Sequence, residues 1–381
     1  MSDVFEIAQI LVSHAVQAHK DEIAIIAYYG SYAKGCASPT SDLDIFYIPD
    51  EGKARTLCSQ FIIDDLPYDF WPVSWAMAEG IANAEGKRPW AVSASLIADA
   101  RVLHHRSQQD LERFNALQTR IAALTRPESR KVMVEKGLSA FKDVLFQLGQ
   151  MRLAVAADDQ AGMHLAGQRF VNSAANCLAL VNQTYFSKGW GANLSEILDL
   201  PQRPGDLEGT IEAIILPQDT DSMLEAAGRL AREVRVILLA AQASLATPED
   251  AHQVFKDFYF FVFEYVNKVL SACDRKDVVK ARFAAFQLQE EICQCINKVK
   301  NGFYGADFNL FGEYSTAYLE AGFPDLLGPA SRGDLVALAG QVRRLDEYAR
   351  EWLEDHSVAL NVLGSQEELR RFLEHRDPVQ T

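Results

Sequence analysis

Three aspartates that follow a glycine–serine pair are the residues of this chain most suited to catalysis. A β-branched and aromatic run, residues 23–29, ends at Gly30-Ser31, and ten residues then separate this pair from Asp42-Leu43-Asp44. The composition of both segments predicts buried strands. Because side chains alternate along a strand, Asp42 and Asp44 should point the same way. Two carboxylates that converge on one point suit a divalent metal, Mg²⁺ above all.

The small residues Gly30 and Ser31 predict a phosphate site beside these carboxylates. A small-residue turn at a strand end lets a phosphate approach the backbone closely, and the N–H groups of the next helical turn can hold it. We therefore expect a triphosphate to lie next to the metal site.

A third acid, Asp69, lies between apolar neighbours in a short predicted strand, residues 66–74. An isolated ionised carboxylate is costly in such a strand, so we expect Asp69 to have a partner. A metal shared with Asp42 and Asp44 would supply one. In a two-metal displacement, one ion activates the attacking hydroxyl and the other neutralises the triphosphate.

At these positions the sequence resembles the nucleotidyltransferase superfamily, whose members include DNA polymerase beta and kanamycin nucleotidyltransferase. The family pattern is Gly-Ser, a short spacer, Asp-x-Asp between apolar residues, and a third Asp on a later strand. The residues that match it are Gly30, Ser31, Asp42, Asp44 and Asp69. The motif covers about residues 23–74, and the domain that carries it extends to about residue 106.

The resemblance also implies roles and cofactors. Small bacterial members often read Gly-Ser-Arg-Ala-Arg-Gly; here Tyr32 replaces the first Arg and Lys34 keeps a positive charge at the second. By this likeness Gly30, Ser31 and Lys34 would hold the triphosphate. Asp42 and Asp44 would bind both metals, and Asp69 would complete the one that activates the acceptor. The cofactors implied are Mg²⁺ and, as co-substrate, ATP or another nucleoside triphosphate.

The pattern of elements predicts an α+β chain. Residues 1–106 should form a small mixed-sheet nucleotidyltransferase domain, in the order helix, strand, strand, helix, strand, helix, strand. From residue 107 onward apolar positions recur every three or four residues, which is typical of helices. We predict one helical bundle over residues 107–216 and a second over 217–381.

Two short similarities favour a tandem repeat of these bundles. Phe141-Lys142-Asp143 recurs as Phe255-Lys256-Asp257, and Asn182 has a counterpart in Asn297. Chance similarity between amphipathic helices is the alternative. Such bundles follow the catalytic domain in the kanamycin nucleotidyltransferase group, so two copies would be a departure from it.

The composition indicates which binding partners and which cellular compartment to expect. The net charge is −15, which argues against binding long nucleic acids and favours a small cationic or neutral acceptor. No run of eighteen apolar residues occurs, so we expect no membrane span. The six cysteines have neither zinc-site nor redox-pair spacing, which favours reduced thiols and a cytoplasmic location. A homodimer is left open.

The function expected from the resemblance is transfer of AMP from ATP to a hydroxyl of a small molecule, such as an aminoglycoside or a lincosamide-like compound. The alternative is a regulatory protein of the toxin–antitoxin type that modifies or binds a protein partner. A helical-domain carboxylate could serve as the acceptor-side base. The candidates for this base are Glu135, Glu264, Glu290 and Glu291. His104 and His105, at the end of the last strand, are further candidates for the site.

Overall fold

The computed structural model describes residues 4–19, 21–53, 57–86, 88–189, 191–305 and 308–374. The chain divides into two compact units, Met1–Ser244 and Leu245–Thr381. No helix among the described residues is long and apolar enough to cross a membrane.

The first unit begins with a helix and a five-stranded sheet that carries further short helices. Its elements to residue 105 are α1 (Val4–His19), β1 (Ile23–Tyr28), α2 (Gly30–Ala33), β2 (Leu43–Pro49), β3 (Ser59–Ile63), β4 (Leu66–Pro72), α3 (Trp75–Ala82), α4 (Trp90–Ala98) and β5 (Arg101–His105). The strand order is β3-β4-β2-β1-β5. Only β2 and β4 run parallel; the other neighbouring strands are antiparallel. The sheet is therefore mixed, and the predicted α+β class is confirmed.

The two faces of the sheet bury different helices. On one face Ile45, Tyr47 and Phe70 belong to a core that includes buried residues of α1. On the other face Phe46 and Ile48 belong to a core with residues of α3 and α4. The alternation of β2 thus places Asp44 on the same face as Phe46.

The rest of the first unit is helical. Its elements are α5 (Gln108–Leu124), a 3₁₀ turn (Pro127–Ser129), α6 (Arg130–Ala156), α7 (Gln160–Val181), α8 (Leu194–Leu198), α9 (Leu207–Ile215) and α10 (Thr220–Leu245). Helix α5 caps the second sheet face, where Phe114 and Phe46 have ring centroids 6.2 Å apart. Helix α10 packs closely on the α6–α7 pair, because a β-carbon at Gly137 would lie 3.0 Å from Leu238.

The second unit is entirely helical over its described residues. Its helices are α11 (Ala251–Val254), α12 (Tyr259–Asp274), α13 (Val278–Asn301), α14 (Gly312–Glu320), α15 (Leu327–Arg332), α16 (Leu335–Asp355) and α17 (Gln366–Glu374). Helices α12 to α16 repeat the order of α6 to α10: two long helices, two short ones and a long one. An aspartate caps the second long helix in both, Asp159 in α7 and Asp277 in α13. The predicted boundaries at 106 and 216 stay predictions.

The structure corrects two details of the predicted elements. The segment before residue 66, expected to be helical, contains β3, which forms a hairpin with β4. Its turn residues Asp64 and Asp65 both have positive φ, 52° and 61°, as a tight two-residue hairpin requires. The apolar pattern of residues 249–273 predicts a single helix, but the structure has two there, α11 and α12, and Asp257 between them has a φ of 60°.

Candidate active site

Two of the three predicted metal ligands lie side by side on the parallel strand pair. Asp44 of β2 and Asp69 of β4 are register partners. Asp42 precedes β2 by one residue and lies level with Pro67 if the register is continued. The parallel pairing of β2 with β4 therefore unites carboxylates that are far apart in the sequence.

Gly30 lies directly against Asp44, one member of this carboxylate pair. Its φ is +77°, and a β-carbon built on it would lie 2.9 Å from Oδ2 of Asp44. The backbone N–H of Tyr29 donates to the carbonyl of Asp44 at 3.1 Å. Ser31 lies in α2, and its carbonyl accepts from the N–H of Cys36 at 3.0 Å. Only glycine gives both the left-handed backbone and the space that Asp44 occupies.

Asp44 is partly buried among other negatively charged side chains. Burial, and then the negative charges of Asp42 and Asp69, raise the pKa of Asp44 to about 6. The positive charge of Lys34 offsets part of this rise. The carboxylates of Asp42, Asp44 and Asp69 are oxygen donors of the kind suited to a hard divalent ion.

The donor set is not fully gathered in this conformation. Among the described residues, no three His, Cys, Asp or Glu side chains lie close enough together to hold a metal ion. Oδ1 of Asp69 accepts a hydrogen bond from Nε2 of Gln60 at 3.3 Å. The residue types present nevertheless fit the chemistry of a divalent ion.

Lys34, expected at the triphosphate, has two partners from other elements. Its Nζ lies 3.4 Å from Oδ2 of Asp99 and donates to the carbonyl of Ser187. The hydroxyl of Tyr185 donates to the other oxygen of Asp99 at 3.1 Å. Lys34 therefore links the segment that follows α7 to the end of α2. Contact with phosphate stays a prediction.

Tyr29, which the motif does not include, is a further residue of this face. Its ring lies 6.0 Å from that of Phe46 and 6.5 Å from that of Trp71. Burial and the charge of Asp44 raise the pKa of its hydroxyl well above the usual range. The alternation of β1 could have revealed it, since Tyr29 is two residues beyond buried Ala27.

A cavity of about 500 Å³ opens beside Asp69 at the β3 edge of the sheet. Its lining residues are Asp42, Gln60, Phe61, Ile62, Pro67, Tyr68 and Asp69. Gln60 was not predicted, because β3 itself was not recognised in the sequence. The cavity gives a second molecule access to the carboxylates.

The other residues that the sequence suggests for the site have surroundings different from those of Asp44 and Asp69. Glu264 lies in an apolar run of the sequence, where an unpaired carboxylate would be costly. In the structure it is 43% exposed and pairs with Lys268 at 2.8 Å. Glu135 is exposed on α6. His104 pairs across the sheet with Ile26, which belongs to the α1-side core, so the register places it on the face opposite Asp44.

Glu290 and Glu291 lie on α13. Oε1 of Glu290 is 3.4 Å from the Tyr314 hydroxyl, and Oε1 of Glu291 accepts from Gln287 at 2.9 Å. A role as acceptor-side base stays a prediction for each of the four glutamates.

Comparison with known proteins identifies the helical part of the first unit. Residues 111–239 match the family model described as KNTase C-terminal domain. No curated protein matches the sequence. A matching solved structure, a nucleotidyltransferase-like protein from Exiguobacterium sibiricum, is 10% identical, with 64% of this chain and 84% of that chain covered and a TM-score of 0.36. A similarity at that level carries no argument about function.

The family match begins near the start of α5, at residue 111, and ends within α10, at residue 239. It confirms the resemblance stated from the motif, which lies in the preceding domain. The match therefore supports assigning the chain to the nucleotidyltransferase superfamily, as a kanamycin nucleotidyltransferase-like protein.

Proposed function

We propose that the chain is a metal-dependent nucleotidyltransferase that moves AMP from ATP to a hydroxyl of a small molecule. The observation that carries this proposal is the pairing of Asp44 with Asp69 across parallel strands, directly against Gly30. This arrangement combines an oxygen donor set with a close backbone approach, and phosphoryl chemistry needs both.

The role proposed for each residue follows from its position in the site. Gly30 and Ser31 would hold the triphosphate, with Asp42 and Asp44 beside it and Asp69 facing the acceptor cavity. Divalent ions, when bound by these carboxylates, would neutralise the phosphates and lower the pKa of the acceptor hydroxyl.

The reaction forms a bond from the acceptor oxygen to the α-phosphorus and breaks the bond to the bridging oxygen of the β-phosphate. Pyrophosphate leaves, and the proton of the hydroxyl passes to a base.

Charge favours a cationic or neutral acceptor. The chain carries a net charge of −15, and Asp42 and Asp69 both line the cavity. Acidic clefts attract cations and repel phosphorylated or carboxylated compounds. An aminoglycoside or a lincosamide-like acceptor would meet this condition, and both follow from the resemblance to the kanamycin nucleotidyltransferase group.

We place the reaction in the cytoplasm. All six cysteines are free thiols, and unpaired thiols are usual in reducing compartments. Cys36 and Cys58 are exposed, so an oxidising compartment would put them at risk.

The test is transfer of label from ATP labelled at the α-phosphate. The full chain and its Asp69→Asn variant are incubated with Mg²⁺ and small molecules extracted from cells, and again with a whole lysate. Label in small molecules that requires Asp69 supports the proposal. Label in protein bands alone would support the alternative in which the chain modifies a protein partner. No Asp69-dependent label in either fraction would contradict nucleotide transfer and favour the alternative in which the chain only binds a partner.

A further inference from the structure

Gln60 stands in one row with the two paired carboxylates. It is the register partner of Asp69 across the β3–β4 hairpin, and Asp69 is the register partner of Asp44 across the parallel pair. Side chains opposite each other on neighbouring strands share a face of the sheet. An amide therefore ends the row at the edge strand, next to the acid that faces the cavity.

The contact between Gln60 and Asp69 has a defined direction. Nε2 of Gln60 donates to Oδ1 of Asp69 at 3.3 Å. An ionised carboxylate only accepts hydrogen bonds, and one donor fixes one of its oxygens. An amide does this without adding charge. A lysine or arginine would compete with a cation for Asp69, and another carboxylate would repel it.

Gln60 is also placed where the acceptor would enter. It is exposed, and it lines the cavity of about 500 Å³ together with Asp42 and Asp69. None of the steps assigned to the motif residues uses it.

We propose that Gln60 is a positioning residue for Asp69. Its amide holds Oδ1 and leaves Oδ2 for the metal ion shared with Asp44. Carboxylates that ligate metals are commonly oriented by such outer hydrogen bonds, and losing one typically weakens metal binding about 10- to 100-fold. The inference rests on the proposed function, since it concerns the acceptor-side ion of the same site.

The experiment counts Mn²⁺ ions bound by the full chain with a non-hydrolysable ATP analogue, using electron paramagnetic resonance. The ion that is lost in Asp69→Asn defines the acceptor-side site. Gln60→Leu keeps the size of the side chain but removes the donor. It should lower the affinity for this ion about 10- to 100-fold and change the affinity for the other ion by less than about twofold. Gln60→Asn keeps the amide on a shorter side chain, and its affinity for this ion should lie between those of Gln60→Leu and the wild type.

Gln108→Leu is the matched control. Nε2 of Gln108 donates to Oε1 of Glu112 at 3.2 Å on α5, so this variant removes an equivalent amide–carboxylate contact away from the site. It should bind both ions as the wild type does.

Two results would overturn the role proposed for Gln60 without contradicting the proposed function. One is unchanged binding of both ions in Gln60→Leu. The other is an equal loss of both ions together with a lower melting temperature, which would make the role of Gln60 structural. A wild-type chain that binds no Mn²⁺ with the analogue would overturn the proposed function and this inference with it.

Discussion

Asp44 lies partly buried between two other carboxylates, and its pKa is raised to about 6 from an ordinary 3.8. The folded chain therefore holds this proton more tightly than the unfolded chain does. For an acid with a raised pKa, the fold is penalised above the unfolded pKa. The penalty grows as pH rises from about 4 to about 6 and is constant beyond.

Asp44→Asn should therefore stabilise the metal-free chain at neutral pH. The shift of about two pKa units, discounted for solvent screening, corresponds to roughly 1–2 kcal/mol in the free energy of unfolding. The gain should shrink as pH falls toward about 4, where the wild-type carboxyl is protonated as well. Denaturant unfolding with a chelator at about pH 4.5 and about pH 7.5 measures it. A gain in the free energy of unfolding that is larger at the lower pH would contradict the raised pKa of Asp44.

Gly30 and Gly35 form a matched pair for testing the close approach to Asp44. Both have left-handed φ, +77° and +70°, but a β-carbon would meet Oδ2 of Asp44 only at Gly30 and nothing within 4 Å at Gly35. Each alanine variant should lose about 1 kcal/mol of stability from backbone strain. Only Gly30→Ala should also lose nucleotide binding, measured by calorimetry with ATP and Mg²⁺. Equal nucleotide affinity of the two variants would show that the contact between Gly30 and Asp44 does not affect nucleotide binding.

At the scale of elements, Lys34 joins the motif loop to the segment after α7. It contacts Asp99 and the carbonyl of Ser187, and Ser187 is itself held by both oxygens of Glu196, each at 2.6 Å. This contact links the KNTase-like bundle to the loop that follows Gly30 and Ser31.

Lys34→Met and Asp99→Asn separate the two roles of this lysine. Both should loosen the segment at residues 183–189, visible as faster amide hydrogen exchange there. Only Lys34→Met should weaken ATP binding, by about tenfold or roughly 1.4 kcal/mol, because it alone removes a cation from the phosphates. If the two variants weaken ATP binding equally, Lys34 acts through the segment and not on the nucleotide.

The sequence predicts the elements that have a strong period or composition. Strands β1, β2, β4 and β5 follow from apolar runs, and the long helices follow from their three-to-four-residue repeat. Strand β3 was missed because the hairpin turn, Asp64-Asp65, lacks the glycine or asparagine that usually marks positive φ. The short helices α8, α9, α14 and α15 have too few turns to show a period.

The site was predictable as a set of residue types but not as a geometry. Gly30, Asp42, Asp44 and Asp69 follow from the motif. The register that pairs Asp44 with Asp69 depends on a parallel strand pair, which local sequence does not encode. Gln60 depends on that register and on β3, so it became visible only in the fold.

At the scale of the whole molecule, the first unit should fold alone. Residues 1–244 are compact, and Phe114 and Leu117 of α5 complete the core behind Phe46. A fragment of residues 1–244 should therefore be soluble and bind ATP with Mg²⁺. Residues 1–106 should be poorly soluble, because removing α5 would expose Phe46 and the apolar parts of α3 and α4 that α5 covers.

A fragment of residues 1–215 tests the contribution of α10. It would expose the surface of α6 and α7 that Leu238 and Met223 cover at Gly137 and Gly167, so it should melt below the 1–244 fragment. Analytical ultracentrifugation and thermal melts of the three fragments decide this. A soluble 1–106 fragment that binds ATP would show that the helices are an independent module.

The central claim is that Asp42 and Asp44 bind the metal–nucleotide complex, and the most direct measurement is the thermal shift caused by ATP with Mg²⁺. A ligand at 100 times its Kd stabilises the folded state by about 2.7 kcal/mol. The matched control for Asp42→Asn with Asp44→Asn is Asp64→Asn with Asp65→Asn, in the hairpin turn, where asparagine tolerates the positive φ. The wild type and the control should show the shift, and the Asp42/Asp44 double variant, still folded, should show none. A double variant that keeps the full shift would contradict the account.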